Sequence, residues 1–214
     1  MSSMSTILLT GFAPFGGAQT NPSQQVAERL SGETIAGAHV LGLTLPVDFE
    51  EAADTLTSAI ARHKPALVLS LGLAAAASCL EVERFAVNLR FAQPGDSLQP
   101  LRPNLAQTVI VADGMTALFS TIHAERVAAA ICRNSAAPAR AHAYAGAYAC
   151  NSVFYTALHY ALQWDLHHCA GFIHLPLSSE QAIVENKLHL PSLPLALMTA
   201  GIRAGIEDAM QDAC

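Results

Sequence analysis

Cys150 is followed by Asn151 and Ser152, two helix-capping residue types, and precedes a pattern of Val153, Phe154, Ala157, Leu158, Ala161 and Leu162. That pattern predicts a helix over 152–164, and the segment 141–149 before it reads as a strand. The thiol is therefore expected at a strand-to-helix turn. Free N–H groups and positive partial charge at such a turn lower a thiol's pKa and can hold an oxyanion. His174 ends the apolar run Gly171-Phe172-Ile173 and precedes Leu175-Pro176, which places it at another strand tip. An imidazole there can accept the proton of a nucleophile. Glu83 opens the alternating stretch Arg84–Arg90 and offers a carboxylate to orient that imidazole. Each residue alone also has a bland reading: a buried thiol, a histidine satisfied by backbone, a solvated glutamate. Together they predict nucleophilic hydrolysis by a Cys-His-acid set.

Other segments carry less chemistry. Gly11-Phe12-Ala13-Pro14-Phe15-Gly16-Gly17 is glycine-rich, but no Gly-Lys-Ser/Thr follows, which argues against a phosphate loop. Its two phenylalanines suit either an apolar pocket wall or a core plug. His167-His168-Cys169 has no partner pair at zinc-ligand spacing, so no metal and no cofactor are expected.

The elements that must position these residues alternate. Strands are expected at 6–9, 39–47, 66–71, 84–90, 109–111, 141–149 and 170–174. Asn21-Pro22-Ser23-Gln24 predicts a capped helix start with a capping box. Asp48 and Glu51 form a second cap pair, opening a helix to about His63. Further helices are expected at 124–134, 152–164 and 192–213, and the segment 91–105 reads as a loop. Regular strand–helix alternation predicts one α/β domain over 1–214, a mostly parallel twisted sheet with helices on both faces in three αβα layers. Ligands of such sheets collect at the carboxyl ends of strands.

Composition sets the boundaries. The chain has 214 residues, 11 Lys+Arg against 17 Asp+Glu, and a formal net charge of −6. A nucleic-acid backbone binder needs clustered basic residues, and these are missing. Hydrophobic residues make up 52%, but 40 are alanines, so apolar content exceeds core bulk. The uncharged stretches Pro65–Leu80 and Ala141–Trp164 raise the question of a membrane span. The first is too short, and the second carries His142, Asn151, Ser152 and His159, which lipid would leave unsatisfied. Met1–Thr10 lacks the basic region of a signal peptide, so a cytoplasmic protein is expected. Cys79, Cys132, Cys150, Cys169 and Cys214 show no paired spacing and read as free thiols.

Four motifs in order complete the picture: Leu9–Gly17 with Asn21-Pro22-Ser23, Glu83–Asn88, Ala145–Asn151 and Gly171–Pro176. Over nearly its whole length the chain resembles the type I pyroglutamyl peptidases, or pyrrolidone-carboxylate peptidases, cysteine peptidases that remove an N-terminal pyroglutamate. The resemblance implies Glu83, Cys150 and His174 as the triad. It also implies Phe12, Phe15, Asn21 and Tyr148 as the pocket for the lactam ring, and a homo-oligomer, commonly a tetramer. Two segments depart from the family. Gly72-Leu73-Ala74-Ala75-Ala76-Ala77 replaces a Gly-Gln-Ala-Gly-Gly-Arg stretch, and Gln93 stands where a site arginine is expected. With the backbone at Cys150, Gln93 would serve the oxyanion by a neutral hydrogen bond, a loss of roughly tenfold in rate against a charged one. The alternatives are hydrolysis of another small amide or lactam, and a binder of pyroglutamyl peptides that does not cleave them.

Overall fold

The computed structural model describes residues 5–91, 107–163 and 169–211. Its strands are β1 (Thr6–Phe12), β2 (Thr34–Ile35), β3 (Ala38–Leu45), β4 (Leu67–Leu73), β5 (Leu80–Val87), β6 (Arg90–Phe91), β7 (Gln107–Thr108), β8 (Ala117–Phe119), β9 (Ala139–Tyr144), β10 (Cys169–Leu175), β11 (Leu177–Ser178) and β12 (Ser192–Leu193). Its helices are α1 (Pro22–Leu30), α2 (Phe49–His63), α3 (Ala124–Ser135), α4 (Ala149–Gln163), α5 (Ser179–Val184) and α6 (Leu195–Ala209).

The main sheet runs β2-β3-β1-β4-β10-β5-β8, with β9 also paired to β5. The centre, β3-β1-β4-β10, is parallel throughout. Strand β5 enters antiparallel to β10 and then pairs parallel with β9. Side chains alternate between faces. Ile7, Leu9, Leu67, Leu69 and Leu71 pack against residues of α1, α3 and α6, whereas Leu8 and Val68 pack with residues of α2 and α4. Strands buried on both faces need apolar residues at successive positions, which is why β4 reads as an uninterrupted run. The three-layer α/β architecture expected from the alternation is present. No helix among the described residues is long and apolar enough to cross a membrane.

Local chemistry fixes the helix starts. Asn21 Oδ1 accepts from the Ser23 N–H, with Pro22 as the first helical residue. Gln24 does not close the expected capping box; its amide donates to Glu28 Oε1 one turn on. Asp48 accepts from the N–H groups of Glu50 and Glu51 and opens α2 as expected.

Several boundaries differ from expectation. The first turn of α4 begins at Ala149, so Cys150 lies inside the helix rather than between strand and helix. Strand β5 begins at Leu80, placing Glu83 mid-strand rather than at its opening. Residues 109–111 form no strand. Their backbone is taken up by Asn88, whose Oδ1 accepts from Ile110 and Val111 N–H and whose Nδ2 donates to the Val111 and Gly114 carbonyls. That duty buries Asn88 and Ala86 and leaves Phe85, Val87 and Leu89 half-buried, so the apolar side of the alternation is not the buried side. Phe85 instead stacks on Tyr144 and meets Phe119 edge-on at the sheet margin. Cys79, Cys132 and Cys150 are free thiols as expected, but Cys169 is disulfide-bonded. His167, His168 and Cys214 lie outside the described residues.

The turn from β1 to α1 depends on one close approach. A Cβ placed on Gly11 would sit 2.2 Å from the Ser23 carbonyl oxygen, so strand and helix start meet backbone to backbone. Gly11→Ala should therefore destabilise by about 3 kcal/mol, the upper part of the overpacking range. Thermal denaturation should show a Tm lower by roughly 6–12 °C for a chain of this size. An unchanged Tm would contradict the close packing of this turn.

Candidate active site

The face of the sheet covered by α4 carries the reactive groups. On β10, Ile173 and Leu175 belong to the core beneath α1, α3 and α6, while Phe172 packs under α4. The period of two puts His174 on the α4 side, where its ring centroid lies 4.8 Å from that of Phe172. On β5, Leu80 and Val82 take the opposite core, which turns Glu81 and Glu83 toward the same side as His174. The antiparallel register sets Glu81 directly across from His174. Glu83, two residues along, reaches the ring diagonally, with Oε1 2.7 Å from His174 Nδ1.

Glu83 is 0% exposed and His174 only 8%. A carboxylate so deeply buried requires donors at both oxygens. His174 satisfies one, and His142 Nδ1 lies 2.9 Å from the other, Oε2. Strand β9 delivers His142 because its register sets His142 opposite Glu83 and Arg140 opposite Glu81. Arg140 pairs with Glu81 through its Nε at 3.1 Å and a second, shorter contact. His142 was not singled out as a site residue from sequence. Its signal was the alternation Arg140, His142, Tyr144, which acquires meaning only when β9 is registered against β5.

Cys150 approaches His174 from above. It stands in the first turn of α4, where helix N–H groups have no intrahelical partner. Beneath its sulfur is Gly72 of β4, where an added Cβ would lie 2.8 Å from Cys150 Sγ and 2.8 Å from the Phe172 ring. Burial draws the His174 pKa down, but the charge and hydrogen bond of Cys150 and the hydrogen bond and charge of Glu83 outweigh it. The imidazole is pushed up from 6.5 to about 10, so it is an imidazolium at neutral pH. Asn151 anchors this turn: its Oδ1 accepts from Val87 N–H, and its Nδ2 donates to the Val87 and Leu89 carbonyls.

A cavity of about 350 Å³ opens over the sulfur, within the usual range for a small-molecule pocket. Its walls are Phe12, Phe15, Val47, Leu73, Ala145, Tyr148 and Ala149, with Asn21, Cys150 and His174 as its polar members. Sequence reasoning missed Val47, Leu73, Ala145 and Ala149, which are plain aliphatic residues without a chemical signature. Phe12 is buried, whereas Phe15 is 40% exposed at the rim. Asn21 is engaged elsewhere: besides capping α1 through Oδ1, it accepts from Ser23 Oγ, and its Nδ2 donates to the Ala13 carbonyl. It shapes the wall by fixing the Gly11–Asn21 turn. The structure thus brings together Phe12, Phe15, Asn21, Glu83, Tyr148, Cys150 and His174. Gln93 lies outside the described residues.

This geometry has counterparts. The family profile described as Pyroglutamyl peptidase matches residues 5–212. The chain belongs to that family. It is 36% identical over 213 residues to a pyrrolidone-carboxylate peptidase of Mycobacterium tuberculosis (strain ATCC 25618 / H37Rv), covering 97% of this chain and 93% of the relative. It is 38% identical over 213 residues to the pyrrolidone-carboxylate peptidase of Clavibacter michiganensis, covering 96% and 95% respectively. Among solved structures, pyrrolidone carboxyl peptidase from Thermococcus litoralis superposes with a TM-score of 0.88 at 32% identity, over 97% of this chain and 94% of that one. Pyroglutamyl peptidase I from Bacillus amyloliquefaciens gives 0.89 at 28%, over 98% of each chain.

The backing of the sulfur by Gly72 yields a direct test. Gly72→Ala should displace Sγ and slow alkylation of Cys150 by iodoacetamide by about 10²-fold, the scale of an ångström's misplacement. Mass spectrometry of the labelled peptide reads this out. Alkylation at the wild-type rate would show that the sulfur does not rest against β4.

Proposed function

We propose that this chain is a cysteine peptidase that hydrolyses the amide bond after an N-terminal pyroglutamyl residue. One observation supports the reading: His174, held by Glu83 at 2.7 Å, shares with Cys150 a compact cavity whose other walls are apolar or neutral. No Lys, Arg, Asp or Glu lines that cavity among the described residues. An uncharged five-membered lactam suits such walls, whereas a free amino terminus or a side-chain charge would lose its water without compensation. Family membership supports the same substrate class.

In the proposed sequence His174 takes up the Cys150 thiol proton. The Cys150 thiolate attacks the carbonyl carbon joining the pyroglutamyl residue to the next amino acid. Charge gathers on the carbonyl oxygen, where N–H groups at the start of α4 around Cys150 receive it; the resemblance adds Gln93 as a second donor. The tetrahedral intermediate collapses as the His174 imidazolium protonates the leaving amine, giving a thioester and the shortened peptide. Neutral His174 then deprotonates a water molecule, which attacks the thioester and restores Cys150. Glu83 holds the imidazole through Nδ1, so that Nε2 serves the sulfur and the amine. Phe12, Phe15 and Tyr148 hold the ring, and Asn21 keeps their turn in place. No cofactor enters. The proposal extends to a cytoplasmic homo-oligomer, with a tetramer implied by the resemblance.

Purified protein should release the chromophore from a pyroglutamyl anilide. Cys150→Ser should abolish release, and His174→Ala should lower kcat by about 10²–10⁴-fold, the usual contribution of acid–base catalysis. Full activity in Cys150→Ser would overturn the mechanism. Binding of a pyroglutamyl peptide without turnover by the wild type, measured by calorimetry, would reduce the protein to a binder.

The alkaline limb gives a further check. His174 must be protonated to expel the amine, and its pKa is raised to about 10. The protonated form therefore persists as pH rises past 6.5 and is lost only through about 10. kcat/KM should fall on that upper flank. A fall centred near the ordinary histidine value would show that Cys150 and Glu83 do not hold the proton on His174.

A further inference from the structure

The mechanism above leaves His142 without a role, although it touches the Glu83–His174–Cys150 chain. Its Nδ1 lies 2.9 Å from Glu83 Oε2, while His174 Nδ1 lies 2.7 Å from Oε1, so two imidazoles hold opposite oxygens of one carboxylate. The Glu83 side chain is wholly buried, but that of His142 is 37% exposed. Solvent protons thus reach His142 directly and Glu83 only through its partners.

We infer that His142 is a positioning residue that locks Glu83 in place, and that its protonation from solvent weakens the support Glu83 gives to His174. The inference rests on the peptidase reading above.

The tautomers decide how this works. Each ring presents Nδ1 to an acceptor-only carboxylate, so neutral His142 carries its proton on Nδ1 and gains the next one at Nε2. That second proton places a positive charge against Glu83. It offsets the negative charge that favours the His174 imidazolium, and it sets two like charges on one carboxylate. The proton affinity of His174 then falls, and its hold on the proton it shares with Cys150 weakens with it. Activity on the acid side therefore depends on two coupled ionisations.

Among the described residues, the groups facing His142 are Glu81 and Glu83 from β5 and Arg140 from its own strand. His174 of β10 acts through Glu83, and Cys150 of α4 acts through His174. Cys79, just ahead of β5, interacts electrostatically with Arg140 and Glu81. Arg140 neutralises Glu81, so Glu83 and the two histidines set the local balance.

The test compares wild type, His142→Ala and His142→Asn on a pyroglutamyl anilide from about pH 5 to 9, a range spanning ordinary histidine titration. The Asn amide places a donor near the position of Nδ1 but takes no proton. His142→Ala should lower kcat about tenfold, the loss of one hydrogen bond to a charged group, with KM unchanged. His142→Asn should restore kcat near neutrality. Its acid limb should become a single ionisation at lower pH, whereas the wild-type limb is steeper. Thermal unfolding verifies that both variants fold, and if His142→Ala does not, the Asn profile still carries the test.

Identical pH profiles in wild type and His142→Asn would overturn the inference, as would a loss in His142→Ala that Asn does not rescue. Imidazole nitrogen NMR of the wild type provides a readout that needs no turnover: the His142 and His174 titrations should each show an inflection from the other. Absence of hydrolysis with coupled titrations would defeat the peptidase reading alone. Hydrolysis with uncoupled titrations would defeat this inference alone.

Discussion

Burying a carboxylate removes several kcal/mol of hydration unless donors replace the lost water. Glu83 has no exposed surface at all, so the sheet around it must provide those donors at fixed positions. It does so from both sides, His174 on β10 and His142 on β9, each on the same face as Glu83. A wholly parallel sheet is easily extended by further crossovers, yet here β5 enters antiparallel. The reversal brings a glutamate from the middle of a strand diagonally against a histidine at the end of another. The orientation of His174 follows from the placement of that one carboxylate, and its retention of a proton rests on Cys150 and Glu83 together.

The rest of the site is held by neutral amides instead of charges. Asn21 fastens the β1–α1 turn, Asn151 ties the start of α4 to the end of β5, and Asn88 gathers the 110–114 segment. Each uses both ends of its amide, which a carboxylate or an ammonium cannot do. This explains how a chain with so few charged residues organises its loops. Several of its arginines are paired outside the cavity lining, Arg84 with Glu125 and Arg126 with Asp208 among them. The cavity is left to uncharged walls.

Much of this was legible in the sequence. Strand–helix alternation gave the layers, Asn21-Pro22 and Asp48 marked two helix starts, and strand ends pointed to Cys150 and His174. Glu83 was expected at a strand opening but lies mid-strand, because the alternation downstream of it was more visible than the mixed run Leu80–Glu83. The alternation itself misled about which side is buried, since Asn88 is drawn inward by four backbone partners that lie more than twenty residues away. His142 stayed hidden for a related reason. A histidine on a strand gains significance only from what its neighbour places opposite, and register is a tertiary property. The aliphatic pocket walls carry no signal at all, because Val47 or Leu73 in a wall looks the same as in a core.

Gly72 has a directional consequence for the thiol. One side of the Cys150 sulfur is closed by the backbone of β4 and the Phe172 ring, with no room for even a methyl group. Any atom added to that sulfur, whether an acyl carbon, an alkylating group or the oxygen of a sulfenic acid, must project into the cavity. Adduct stereochemistry is thereby fixed by the sheet floor before a reagent arrives. Inhibitors built on this thiol are constrained to a single exit vector, between the aromatic walls and away from β4.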